Sequence, residues 1–146
     1  MGEVFIWRLF NQLVIRRFVW GEETDRELLE RTLAEDVPAV LDYLESELPP
    51  AGYLFGDLSI ADVAIACFFR TAAFARFRVD AARWPATAGF VDRVLSTDAF
   101  QRLKPFEDRM IRTPISEQRA VLAGMGAPLM AETYGTLAPR RGVMQT

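Results

Sequence analysis

Few side chains in this chain can do chemistry, and the absences narrow the field first. There is no histidine in 146 residues, which removes the commonest general base, the Ser/His/Asp and Cys/His arrangements, and most zinc sites. No catalytic residue and no metal ligand is assigned. The single cysteine, Cys67, permits no intramolecular disulfide and fits the reducing cytoplasm. Cys67 lies in a wholly apolar run and is read as an inert core thiol. Tyr43, Tyr53 and Tyr134 have no neighbouring motif to activate them. Arg17 stands among apolar residues and is read as a structural arginine paired with a carboxylate of the second helix; a ligand-facing or interface role is the alternative. What remains is Ser59 and Asp62, three residues apart. That spacing makes a reciprocal helix cap: the Ser59 hydroxyl accepts from the backbone N–H at position 62, and Asp62 reaches back to the N–H of Ser59. Capping uses up their polar atoms, so both are read as structural. Leu58 before the cap and Val63 after it are placed for a hydrophobic staple.

The elements that must position these groups are helices. Hydrophobic residues make up 51% and charged residues 25%, the balance of an ordinary globular domain. The net charge of −3, with signs interspersed, gives no footprint for nucleic acid. All but one of the basic residues are Arg, the exception being Lys104, a bias that points to a GC-rich bacterial coding sequence. Apolar spacings are helical nearly everywhere. The first helix is expected over Val4 to Trp20, stopping at Gly21. At about 100° per residue, Ile6, Trp7, Leu9, Phe10, Leu13, Val14, Phe18 and Trp20 share one half, with Arg17 in its middle. Glu3, Arg8, Arg16 and Arg17 argue against a signal peptide or a membrane span there.

Thr24-Asp25-Arg26-Glu27 reads as a capping box with Thr24 as cap, opening a helix that Pro38 should kink and Pro49-Pro50 should stop. The run from Ile60 to Phe69 carries one charge, Asp62, and is apolar on every other side; it is expected to be the buried central helix. Trp84-Pro85 opens a helix to about Ser96, since Pro suits the first helical position. Thr97 or Asp98 caps a short one through Lys104, and Thr113-Pro114 starts another, ending near Gly124 or Gly126. The expected organisation is a helical domain over 1–126 and an irregular tail over 127–146.

The stretch Tyr53-Leu54-Phe55-Gly56-Asp57-Leu58-Ser59-Ile60-Ala61-Asp62 resembles the capping box and staple that open the central helix in the C-terminal domain of glutathione transferases. Leu41-Asp42-Tyr43-Leu44-Glu45 upstream, and Trp84-Pro85 with Val94-Leu95 and Ala99-Phe100 downstream, are similar to that domain's neighbouring helices. The interval from Gly56 to Ser59 is one residue shorter than the common form, with the cap offset intact. The resemblance covers about Val4 to Leu103. It implies an all-α bundle of about five to seven helices around a buried central helix.

In that family a thioredoxin-like N-terminal domain holds glutathione, and the helical domain supplies much of the pocket for a hydrophobic electrophile and part of a dimer interface. Glutathione is therefore implied only as a co-substrate held with that other domain, and no cofactor is implied for this chain. These 146 residues contain no βαβ pattern and no cis-Pro loop, so the chain alone is expected not to conjugate glutathione. The resemblance further implies that the first helix lines one wall of the electrophile pocket. Trp7, Phe10, Asn11 and Val14 fall on neighbouring turns and combine three apolar side chains with one amide, the make-up of a small-molecule site. The tail, with Leu129, Met130 and Tyr134, would act as its lid. The other reading of the aromatic cluster on this helix is plain core. Expected partners are the thioredoxin-like domain and a second copy of the chain, without nucleic acid or membrane. The alternative to the enzymatic role is a stand-alone protein-interaction module of the same fold.

Overall fold

The computed structural model describes residues 1–130, and all its regular structure is helical. It divides into two compact units, Met1–Thr97 and Asp98–Thr146.

The first unit begins with a helix over Gly2–Trp20, closed by Gly21 at φ 69°, whose N–H returns to the carbonyl of Arg16. That bond spans five residues, and the helix is wound as a π-helix. Wider winding puts residues four and five apart on one face, in place of three and four. Phe5, Leu9 and Val14 accordingly form the buried side. Arg17 is exposed, stacked on the ring of Phe18 at 5.7 Å, and Phe18 is 76% exposed. The expectation that Arg17 pairs with the second helix is corrected: 100° winding placed it on the wrong side. Arg8 makes that pairing, 2.8 Å from Asp36, and also meets Glu3. Asp36 first, then Glu3, raises the pKa of Arg8 above its ordinary value.

A continuous helical run follows over 26–47, made of Arg26–Arg31, a π-wound segment Thr32–Asp36, and Val37–Glu47. Its cap is Asp25, which accepts from the N–H of Leu28 at 3.0 Å. Thr24, expected in that role, instead donates its hydroxyl to the carbonyl of Gln12 at 3.0 Å. Pro38 stands two residues past the π segment. Proline removes a donor and crowds the preceding turn, and local widening is one way a helix absorbs both.

After the turns at 50–57 comes the central helix, Ile60–Phe74. Its buried side carries Asp62, Ala66, Phe69 and Ala72, and Phe69 packs its ring 5.0 Å from Phe5. The opposite side is open: Ile60 is 82% exposed, and Ala64 and Cys67 are exposed with it. Cys67 is thus a surface thiol, contrary to expectation. A helix apolar all round has no polar stripe to mark its outer face.

The helix Pro85–Leu95 buries Thr87, Phe90, Val91 and Val94. Side chains from Val37–Glu47 hold its start: Trp84 Nε1 donates to Asp42 Oδ1 at 2.7 Å, and Glu45 takes the first N–H groups of the helix, those of Ala86 and Thr87. The core joins Phe5, Leu9, Leu41, Phe90 and Val94, each at 1% exposure or less. Burial of each such side chain stabilises the fold by about 1.5–3 kcal/mol.

In the second unit one helix spans Asp98–Met110 and another Ile115–Gly124. The first continues past its expected end at Lys104, through Pro105, and an ion pair between Lys104 and Asp108 bridges the proline. Of the proposed lid, Leu129 and Met130 are exposed, and Tyr134 lies outside the described residues.

Candidate functional site

Two constructions in the first unit bear on function: the start of the central helix and the inner wall of the first helix. At the helix start both bonds of the capping box are made. Asp62 Oδ2 accepts from the N–H of Ser59 at 2.8 Å and from its hydroxyl at 2.6 Å. Asp62 Oδ1 takes the N–H of Leu54 at 2.9 Å, so the carboxylate also pins the preceding turn. Asp62 is fully buried. Burial alone would raise its pKa; the bonds from Leu54, from Ser59 twice, and from its own N–H outweigh that and hold it below the ordinary value. An ionised carboxylate with its lone pairs occupied is a structural anchor, since no site is left for a substrate proton. Leu58 is 43% exposed and Val63 half-buried.

Glu45 repeats this device at long range. Its Oε1 accepts from the N–H of Ala86 at 2.9 Å, and Oε2 from the N–H of Thr87 at 2.9 Å and the Thr87 hydroxyl at 2.8 Å. These are donors that a helix beginning at Pro85 leaves without partners. Desolvation pushes the Glu45 pKa up; the two N–H bonds and the hydroxyl bond prevail and lower it. Sequence reading missed this pairing. The clue available was a Pro-initiated helix with no Ser, Thr or Asp ahead of it.

On the first helix, Trp7 and Phe10 are half-buried, and Asn11 and Val14 are buried. Phe10 sets its ring 6.5 Å from Phe74. Gln12, beside them, is tied down by the N–H of Asp25 at 3.0 Å. Asn11 differs. It is only 9% exposed, yet its amide makes no hydrogen bond within the described residues, and its polar atoms are not sealed from solvent as the unpartnered hydroxyl of Thr32 is. The amide can therefore be met by water, or by a bound molecule that displaces it.

Two cavities border these elements, and none of the four wall residues lines either. One, of about 490 Å³, is polar and lies between Leu13, Arg17 and Gly21 and the segment Glu22 to Leu29. The other, of about 250 Å³, lies between Phe69, Phe77, Val91 and Leu95. Among the described residues no acidic or cysteine cluster could hold a metal ion, and no helix is long and apolar enough to cross a membrane.

Residues 6–114 match the sequence model of the glutathione S-transferase C-terminal domain. The chain belongs to that family. Its all-helical architecture agrees with the assignment. No curated protein and no solved structure gives a match. In this glutathione S-transferase C-terminal domain, Asp62 and Glu45 are the carboxylates that set the starts of two helices, and the first helix carries one amide, Asn11, without a partner within the described residues.

Proposed function

We propose that this domain forms the apolar wall for an electrophilic co-substrate in a glutathione transferase-like protein, whose thioredoxin-like domain holds glutathione and its thiolate. Trp7, Phe10 and Val14 offer the hydrophobic surface, and Asn11 the single polar contact. The observation that carries the reading is Asn11, a residue only 9% exposed whose amide is unbonded within the described residues and open to an incoming group. An electrophile activated by nitro or carbonyl groups brings the acceptor oxygen that such an amide lacks. The chain's own contribution is to bind that molecule, orient it through one hydrogen bond and exclude water around it; no proton transfer is asked of any residue here.

The test is equilibrium binding of 1,3-dinitrobenzene, which has no leaving group and so cannot arylate Cys67. Phe10→Ser and Asn11→Ala should each weaken binding several-fold, the amide bond being worth about 1 kcal/mol. Unchanged affinity in both variants would sink the assignment.

A further inference from the structure

The end of the central helix holds a feature that the family role does not use. After Phe74 the chain reverses through Arg76, which has φ 62°, the one non-glycine residue with positive φ among those described. Glycine usually fills this position at a helix end, because a side chain there is strained. The reversal is secured by Arg76 N–H to Ala73 O at 3.0 Å and Phe77 N–H to Ala72 O at 3.1 Å. It folds Phe77 back so that its ring lies 5.6 Å from Phe5, which also packs against Phe69 at 5.0 Å. Two aromatic walls are thereby fixed by one fully buried ring. Between them and the helix Pro85–Leu95 lies the cavity of about 250 Å³, lined on its other sides by Ala73, Val79, Ala88 and Val91.

We propose that this cavity is a second, separate binding site, for a small uncharged aromatic molecule. Its size allows one: about 250 Å³ exceeds the roughly 150 Å³ in which a sealed apolar cavity holds benzene, and here the mouth is open to solvent, so a fused two-ring compound can enter. Its walls are largely preformed, as such sites generally are. The charged lining residues are Arg78 and Asp92. Both are exposed, and neither makes a side-chain bond or ion pair within the described residues. Being opposite in sign and exposed, they give the lining no net charge that would favour an ion of either sign. Selection therefore rests on shape and apolarity.

The test uses 5-fluoroindole followed by ¹⁹F NMR, with amide shifts mapped on the isotope-labelled wild-type chain. Saturable binding is expected, with perturbed amides clustered at 73–95 and those of Trp7, Phe10, Asn11 and Val14 unmoved. Ala88→Leu and Ala73→Leu, each filling the cavity, should abolish the fluorine shift. The anionic 5-fluoroindole-3-acetate should bind no tighter than the neutral probe. The proposal fails if the wild type shows no saturable shift, if the amide map centres elsewhere, if a folded cavity-filling variant still binds, or if the anion binds several-fold tighter. Failure here leaves the first-helix wall untouched, since that reading concerns different amides.

Discussion

Replacing Asp62 by alanine is the sharpest perturbation of this fold. The carboxylate accepts from Leu54 N–H, Ser59 N–H and the Ser59 hydroxyl, at 2.9, 2.8 and 2.6 Å, and is fully buried. A buried donor stripped of its acceptor costs about 1–3 kcal/mol. Ser59 is half-buried, so water can recover part of two of these bonds. The expected loss for Asp62→Ala is therefore about 3–5 kcal/mol. Ser59→Ala removes one hydroxyl from the same box and should cost about 1–2 kcal/mol, as helix caps generally do. Because both changes break shared bonds, the double variant should fall short of the sum by about 1 kcal/mol. Urea unfolding followed by far-ultraviolet circular dichroism measures all three. Asp62→Ala takes a large share of a typical stability of about 5–15 kcal/mol, and its midpoint should shift accordingly. A loss below about 1 kcal/mol, or strict additivity of the two changes, would refute the reasoning that the box is buried and shared.

Further consequences can be checked on the same protein. Asp62 and Glu45 both have lowered pKa values when folded, so they stabilise the fold above their unfolded values of about 3.9 and 4.3 and lose that contribution as pH falls through the folded values. Urea midpoints should be flat from pH 5.5 to 7, where no histidine titrates, and should drop below pH 4; Glu45→Gln should flatten part of that acid drop. Arg76→Gly should raise stability by about 0.5–1 kcal/mol, because relief at φ 62° exceeds glycine's entropy cost; a lower melting midpoint would contradict it. Incubated with glutathione and an activated aryl chloride, this chain should form thioether no faster than buffer does, and turnover above that rate would contradict the assignment of no catalytic group to it.

The parts of this account legible in the sequence are those fixed within a few residues. The Ser59–Asp62 offset and Trp84-Pro85 each carry their reason locally, as capping and turn chemistry do. Orientation was harder to read. Arg8 and Arg17 exchanged roles because the first helix is π-wound, and no residue type announces that winding in advance. The sequence puts Cys67 inside because its helix is apolar on every side, which leaves periodicity nothing to measure. The bond between Glu45 and Thr87 spans 42 residues and depends on how two helices pack. In the sequence Asn11 stands out only as the single polar group of an apolar strip; that its amide has no partner within the described residues depends on packing between helices.

The most direct test of the central claim, that the first helix forms the co-substrate wall, is an amide chemical-shift map with 1,3-dinitrobenzene. The account predicts saturable shifts on Trp7, Phe10, Asn11 and Val14, separate from any at the cavity beside the helix Pro85–Leu95, with the Asn11 side-chain amide among the most displaced. Saturable shifts that leave those four residues unmoved, or none up to the solubility limit of the probe, would contradict it.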